Sequence, residues 1–187
     1  MSYTSAGVAL YNDKDKKIVF HVIKHKAGTK FNENIVNAIT ISNRLTNFLK
    51  DEGTPNAVFI EQPFNGANFS SGLYLLDGVV INNLYTMGVS RVYTFHTSYL
   101  NYIKMIKKAD KKTSLELAKK IVEVFEKHGY DINKEKYTHD ESEALIFLTR
   151  GVCMFSKDKK LCNDLILCAI RFKEEKESLV NFNGENT

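Results

Sequence analysis

The feature that most constrains the fold is segment 57–96, in which a short apolar run, a helical stretch and a second short apolar run follow one another. Residues 57–61 read "AVFIE" and residues 91–96 read "RVYTFH", and both runs are rich in the β-branched and aromatic residues that favour strands. The stretch from about Ser70 to Met87 between them is typical of a helix. Because strand, helix and strand in this order imply a parallel crossover, the segment predicts an α/β fold.

The segment before it predicts a hairpin followed by a long helix. Residues 5–11 and 17–25 favour strands, and "NDKDK" between them favours a turn. From Phe31 to Leu49 the apolar residues keep helical spacing, with Ser42 as a small substitute. The chain therefore begins with an antiparallel pair that joins a parallel continuation in one α/β layer fold.

Two capping boxes predict helix starts in the second half of the chain. The first pairs Thr113 with Glu116, and the second pairs Thr138 with Glu141. We expect the first of these helices to end at Gly129 and the second at Gly151, since glycine favours the backbone conformation that ends a helix. A further helix and a frayed polar tail, "NFNGENT", are expected after them.

Size and cysteine content exclude several protein classes. A chain of 187 residues, 43% of them hydrophobic, can bury a core without disulfides or a structural metal. The three cysteines, Cys153, Cys162 and Cys168, follow no paired ligand spacing, so neither a disulfide framework nor a zinc site is indicated. No apolar run approaches the roughly 20 residues of a membrane span, and the start resembles no signal peptide. We expect a soluble, intracellular protein of the cytoplasm.

Lysines are concentrated between residues 104 and 120. The cluster consists of Lys104, Lys107, Lys108, Lys111, Lys112, Lys119 and Lys120, in a chain of net charge +4. Such a cluster suits a phosphate backbone. A solvated helix face explains it as well, so the lysines alone do not decide between nucleic-acid binding and simple exposure.

Three carboxylates are candidates for catalysis. Glu61 lies at the carboxyl end of a predicted strand, where α/β proteins commonly place functional groups, although a solvated charge at a strand end is the alternative. Asp140 and Glu143 are spaced i, i+3, on one face of the helix that starts after Thr138. The helix dipole offers a structural role for Asp140, and we assign Glu141 to the cap.

Glu143 is harder to explain structurally because it precedes the apolar run 144–148, which should face the sheet. If Glu61, Asp140 and Glu143 converge, they repel one another unless a cation is bound. Oxygen ligands suit Mg²⁺ or Mn²⁺.

Three segments resemble one known family. "FIEQPFNGANFSSGLYLLDGVVINN" resembles the second active-site segment of the RuvC family of Holliday junction resolvases, and "HDESEALIFL" resembles its last segment. "DKKTSLELAKKIVEVF" resembles the basic helix between them. The similarity covers roughly residues 5–151, and its specificity lies in both acidic segments occurring in the right order. On this basis we divide the chain into a nuclease domain, 1–151, and a helical extension with a frayed tail, 152–187.

The resemblance implies an RNase H-like fold, a mixed five-stranded sheet with helices on both faces. It also implies a homodimer that cuts branched DNA with two Mg²⁺ (or Mn²⁺) ions, held by Glu61, Asp140 and Glu143. The family has Asp at the position of Glu143 in this chain. Glu is a conservative change of ligand, with a longer side chain. The rival functions are a catalytically silent RNase H-like protein that binds nucleic acid or serves as a scaffold, and a nuclease for flaps or RNA–DNA hybrids.

The resemblance also implies DNA contacts. Phe64 would stack on bases at the opened junction centre, although burial under the following loop is the alternative. Lys112 matches a phosphate-contacting lysine of the family, and Lys111 could serve instead. His139 adjoins Asp140 and could orient a water or contact phosphate, or it could simply be exposed at the cap.

The resemblance fails at the start of the chain. The family's first strand carries an Asp, and "MSYTSAGVALY" resembles the part just after it, so the matching position falls before Met1. Asp13 and Asp15 are poor substitutes because they lie in the predicted hairpin turn. We expect the first strand and its Asp to be supplied upstream or by another chain; the alternative is a protein that has lost both.

Overall fold

The computed structural model describes residues 5–25, 31–62, 71–96, 111–133 and 136–184. These residues form five strands and five helices, and the α/β class predicted from the sequence is confirmed. In chain order the elements are β1 (Ser5–Asn12), β2 (Lys17–Lys24), α1 (Phe31–Glu52), β3 (Val58–Gln62), α2 (Ser71–Thr86), β4 (Val92–His96), α3 (Lys111–Lys127), β5 (Asp131–Ile132), α4 (His139–Phe155) and α5 (Lys159–Gly184). None of the helices in the described ranges is long and apolar enough to cross a membrane.

The chain divides into two compact units. Unit 1 comprises Met1–Val8 and His21–Thr97, and unit 2 comprises Ala9–Phe20 and Ser98–Thr187. The β1–β2 hairpin thus contributes its turn end to unit 2 and its open end to unit 1. The division into residues 1–151 and 152–187, which rests on the family resemblance, stays a prediction.

In unit 1 the predicted parallel crossover is confirmed. Strands β3 and β4 pair in parallel, in a register that runs from Val58 opposite Val92 to Gln62 opposite His96. The Phe59 ring stacks on the rings of Tyr93 and Phe95 at centroid distances of 5.2 and 5.8 Å. This register fixes Glu61 one residue before the carboxyl end of β3, opposite Phe95.

Helix α1 packs on the crossover helix α2. The apolar stripe predicted for α1 is only partly right, because Ile39, which belongs to the predicted spacing, is 45% exposed. The buried side chains are Ala38, Ile41, Leu45 and Leu49 on α1 and Leu76, Val80 and Leu84 on α2. Ser42 is buried within this stripe, where its hydroxyl accepts a hydrogen bond from Asn83 Nδ2 (2.8 Å). A small polar residue is tolerated here because α2 satisfies its hydroxyl.

The described strands form two sheets, not the predicted single five-stranded sheet. One has the order β1-β2-β5 and the other is the pair β3-β4. Strand β5 was not predicted from the sequence; it pairs in parallel with β2, Lys17 opposite Asp131 and Ile18 opposite Ile132. A sheet is continuous only where neighbouring strands exchange backbone hydrogen bonds. In the described part of the chain no strand joins the two sets.

Helix α3 carries the core of unit 2. Its buried side chains include Leu117, Ile121 and Phe125, the stripe predicted from the sequence, and it packs on α4 and α5. The helix ends as predicted at Gly129, whose φ of +79° is easily adopted only by a residue without a Cβ. Its predicted start is wrong, because the helix already begins at Lys111 and Thr113 therefore lies inside it.

The predicted end of α4 at Gly151 is also wrong. The helix continues to Phe155, and the Ser156 N–H closes it with a hydrogen bond to the Val152 carbonyl (2.8 Å). Gly151 and Val152 are both buried. Burial of the next apolar residue favours continuation of the helix more than a glycine favours its end.

Helix α5 is tied to α3 by two ion pairs. Lys120 Nζ lies 2.6 Å from Glu175 Oε2, and Lys176 pairs with Glu116. Both ammonium groups also lie over the buried ring of Phe172, at 5.8 and 5.5 Å from its centroid. Glu116 thus contacts a neighbouring helix.

A polar cluster holds the hairpin turn in unit 2. Asp13 Oδ1 accepts hydrogen bonds from Lys16 Nζ (2.8 Å), Tyr130 Oη (2.6 Å) and Tyr11 Oη (3.0 Å). The rings of Tyr11 and Tyr130 stack at 5.2 Å. The hydrogen bonds from Lys16 and Tyr130 lower the pKa of the Asp13 carboxyl to about 2.

We expect Asp13→Asn to destabilise the protein by up to about 1 kcal/mol at pH 7, the upper end for exposed ion pairs. The folded-state pKa of Asp13 lies below its ordinary value of 3.8, so its contribution is fully present above about pH 4 and is lost as the pH falls towards 2. Urea denaturation at pH 7, 4 and 3 should show the difference in stability between parent and variant closing with acid. Asp15→Asn, the same charge change in the same turn, is the control; a difference that stays constant down to pH 3 would contradict the ion-pair explanation.

Candidate active site

The capping box at the start of α4 fixes the orientation of that helix. Thr138 is the N-cap, its hydroxyl accepts a hydrogen bond from the Glu141 N–H (3.3 Å), and the Thr138 N–H donates to Glu141 Oε2 (2.7 Å). The Glu141 side chain is 0% exposed. The assignment of Glu141 to the cap is therefore confirmed.

Three neighbours of the buried Glu141 form a group that we call the α4 acid cluster: His139, Asp140 and Glu143. His139 Nε2 lies 3.2 Å from Glu143 Oε1, and His139 Nδ1 lies 3.7 Å from Asp140 Oδ1. His139 and Glu143 are 24% and 23% exposed. His139 is thus more than an exposed cap residue, because its ring lies between the two predicted catalytic acids.

The α4 acid cluster has the right donors for a hard divalent cation, but not enough of them. Carboxylate oxygens are the ligands that Mg²⁺ prefers, and both acids are partly exposed, which leaves room for the waters that Mg²⁺ retains. Among the described residues, no group of three or more His, Cys, Asp or Glu side chains could by itself hold a metal ion. A metal site built on α4 therefore needs ligands from elsewhere.

Glu61 lies in unit 1, half-buried, at the carboxyl end of β3. A second acid of the same unit, Asp77 on α2, interacts with it electrostatically. Burial is the main cause that raises the pKa of Asp77 to about 6; the positive charge of the N-terminal amino group opposes this rise, and the negative charge of Glu61 adds a smaller increase. Asp77 is not among the residues predicted from the sequence, although an Asp inside the apolar stretch "LYLLDGVV" is a signal that could have found it.

The convergence of Glu61 with Asp140 and Glu143 stays a prediction, since Glu61 belongs to unit 1 and the two α4 acids belong to unit 2. Phe64 and the lysines Lys104, Lys107 and Lys108 lie outside the described residues.

Four of the predicted phosphate-binding lysines lie on α3. Lys111, Lys112 and Lys119 are exposed along the helix. Lys120 differs from them because Glu175 of α5 neutralises its ammonium group at 2.6 Å. The first turn of α3 is therefore the part of the described lysine cluster best able to contact a phosphate.

Comparison with solved structures finds a likeness, whereas comparisons with family models and curated proteins do not. No protein-family model matches the chain, and no curated protein matches it. A solved structure described as "Thermus thermophilus RuvC structure" is similar with a TM-score of 0.49 and 19% sequence identity, over 76% of this chain and 82% of that chain. A likeness at this level assigns neither family nor activity, so a functional proposal has to rest on the residues of the site.

Proposed function

We propose that the chain is a metal-dependent endonuclease that resolves four-way DNA junctions by two-metal phosphodiester hydrolysis. The observation that supports it is the α4 acid cluster, in which a helix fixed by a buried capping acid presents Asp140 and Glu143 on either side of His139. A helix end fixed by burial holds its acids in defined positions, as a catalytic site requires.

In this proposal Glu61, Asp140 and Glu143 supply carboxylate ligands to two Mg²⁺ or Mn²⁺ ions. Bound ions of this kind activate a water and stabilise the leaving 3′ oxygen. The positive end of the α4 dipole interacts favourably with negatively charged groups near the first turn of the helix, where Asp140 lies. His139, 3.2 Å from Glu143, positions that carboxylate.

DNA binding is assigned to the lysines and to Phe64. Lys111 and Lys112 would contact phosphates, which position the substrate without reading its sequence. Phe64 would stack on bases at the junction centre. A symmetric homodimer would place one active site on each of two DNA strands, so that the junction receives two paired cuts, one from each active site.

The experiment that tests the proposal compares four substrates of equal length: a four-way junction, a flap, an RNA–DNA hybrid and plain duplex. With Mg²⁺ or Mn²⁺ present we expect cleavage of the junction and none of the duplex, and we expect EDTA to stop it. Binding of the junction without cleavage would make the protein a silent nucleic-acid-binding protein. Faster cleavage of flaps or hybrids would reassign the substrate.

Replacing Lys111 and Lys112 by alanine should make DNA binding less sensitive to salt. Removing one lysine–phosphate interaction lowers the slope of log K against log salt by about 0.9, so we expect a decrease of about 1.8 for the two lysines together. The measurement is fluorescence anisotropy of a labelled junction at several salt concentrations.

The control for this variant is Lys14→Ala with Lys50→Ala, which removes the same charge from exposed positions on the hairpin turn and on α1. If the variant without Lys111 and Lys112 has the same slope of log K against log salt as the control, the first turn of α3 is an ordinary solvated face.

A further inference from the structure

Two of the three cysteines lie on either side of the corner between α4 and α5. Cys153 is in the last turn of α4, and Cys162 is in the first turn of α5. Each thiol lies against the backbone of the other segment: Cys153 Sγ is 3.9 Å from the Cys162 carbonyl oxygen, and Cys162 Sγ is 3.8 Å from the Val152 carbonyl oxygen. The two thiols therefore face each other across one short corner.

The corner that carries the two thiols is fixed on both sides. Val152 and Leu161, the residues directly before the two cysteines, are 3% and 0% exposed. The Asp158 N–H donates a hydrogen bond to Ser156 Oγ (3.1 Å), and Asp158 Oδ1 accepts one from the Leu161 N–H (2.9 Å). Groups that are held in a fixed geometry react with each other faster than groups that must first meet, so the thiol pair is preorganised for a reaction between its sulfurs.

The two cysteine side chains also interact directly. The pKa of the Cys153 thiol is raised to about 12, mainly by burial and then by the charge of Cys162 and a hydrogen bond between the two side chains. The positive charge of Arg150 partly opposes this rise. Cys153 is therefore a thiol at neutral pH, in contact with the Cys162 side chain.

The third cysteine, Cys168, provides an internal comparison. It follows Cys162 on α5 by a spacing that is not a whole number of helical turns, so its side chain leaves the helix on a different side. Burial raises the pKa of its thiol, and the strongest charge effects on it come from α3, where Lys120 lowers the pKa and Glu123 raises it. Cys168 thus faces α3 and not the corner.

We propose that Cys153 and Cys162 form a reversible disulfide that joins the end of α4 to the start of α5 in the presence of a small-molecule disulfide such as oxidised glutathione. The proposal is independent of the proposed nuclease, since neither cysteine is assigned to metal or DNA. No such pairing follows from the spacing of the cysteines along the chain. The contact between α4 and α5 brings the two thiols together.

The oxidation consists of two thiol–disulfide exchanges. Because Cys153 is held in its thiol form, the Cys162 thiolate attacks one glutathione sulfur, a Cys162–glutathione disulfide forms, and one glutathione thiolate leaves. Cys153 then loses its proton, and its sulfur attacks the Cys162 sulfur, which forms the Cys153–Cys162 bond and releases the second glutathione thiolate. The two released thiolates take up the two protons from the cysteines, so one oxidised glutathione becomes two reduced glutathiones.

The test is treatment of the reduced full chain with oxidised glutathione, followed by blocking of the remaining thiols with N-ethylmaleimide and digestion with trypsin. Trypsin places Cys153 in peptide 151–157 and both Cys162 and Cys168 in peptide 161–171. We expect mass spectrometry of the monomer band from a non-reducing gel to find these two peptides joined, and dithiothreitol to separate them.

Because two cysteines share one peptide, variants identify the partner of Cys153. The link should persist in Cys168→Ser and be absent from Cys162→Ser. The parent chain provides the primary measurement, so a variant that folds poorly does not remove the test.

A second readout is the thermal stability of the oxidised chain. A disulfide restricts the unfolded chain, so we expect the Tm of the oxidised parent to lie about 5–10 °C above that of the reduced parent. Cys168→Ser should show the same rise, whereas Cys153→Ser and Cys162→Ser should show none. The rise should not depend on protein concentration, because the bond lies within one chain.

Three results would overturn the proposal. The first is attachment of glutathione to Cys162 without closure to Cys153, or no reaction at either thiol. The second is a link from Cys153 to Cys168, or a link that forms only between two chains. The third is a rise in Tm on oxidation of Cys162→Ser as large as that of the parent.

Discussion

Glu61→Gln is expected to lower the rate of metal-dependent junction cleavage by more than about 100-fold, because removing a direct metal ligand should cost more than the roughly 10–100-fold effect of removing an outer-shell partner. Gln keeps the length of the side chain and can still accept a hydrogen bond, but it brings no negative charge to the cations. Junction binding should stay within about twofold of the parent, since binding depends on phosphate contacts made by lysines. The measurements are single-turnover cleavage with Mg²⁺ and anisotropy of the same labelled junction.

The matched control is Glu126→Gln, the same chemical change at an exposed position on α3. It should cut like the parent. Because Glu61 is half-buried, the Tm and circular dichroism spectrum of Glu61→Gln are recorded as well. Cleavage by Glu61→Gln at the rate of the control would refute its catalytic role, whatever the outcome for Asp140 and Glu143.

Phe125→Ala should lower the free energy of unfolding by about 3–5 kcal/mol, the range for a fully buried aromatic cut back to a methyl group. Phe125 is 0% exposed on α3, and its ring lies 6.0 Å from that of Tyr11 and 5.4 Å from that of Tyr130. The cavity would thus open beneath the polar cluster that holds the hairpin turn. Since the free energy of unfolding of a whole domain is about 5–15 kcal/mol, this single change should remove a large share of the stability.

Urea denaturation followed by circular dichroism measures the effect, with thermal denaturation as the second readout. A protein of this length loses about 2–4 °C of Tm per kcal/mol, so a decrease of roughly 6–20 °C is expected. Glu126→Ala, the next residue on the same helix but exposed, should stay within about 0.5 kcal/mol of the parent. If Phe125→Ala were no less stable than Glu126→Ala, the assignment of Phe125 to the core would be wrong.

The neighbouring acids of α4 show why residue type alone does not identify a site. Asp140, Glu141 and Glu143 lie within one turn, yet Glu141 is fully buried and bonded to Thr138, whereas the other two flank His139. The capping-box pattern predicted this difference from the sequence, because its reciprocal hydrogen bonds join residues only three positions apart. The contact of His139 with Glu143 depends on side-chain conformation, which a sequence pattern does not specify.

What the sequence determined by itself was local. The strands β3 and β4, the stripe Leu117, Ile121 and Phe125, and the cap at Thr138 follow from spacing within a few residues, and the structure has all of them. These features depend on helix and strand periodicity and on bonds between near neighbours, which the order of residues specifies directly.

Only the tertiary structure decided the features that join distant residues. The two-residue strand β5 exists because Asp131 pairs with Lys17, far away in the sequence, and α4 continues beyond Gly151 because Val152 is buried. The burial of Asp77 beside an apolar face, within range of the charge on Glu61, likewise belongs to the packed unit and not to the helix alone. The physical reason is the same in each case: burial and non-local pairing are set by which surfaces meet, and a pattern read along the chain contains no information about what lies across from it.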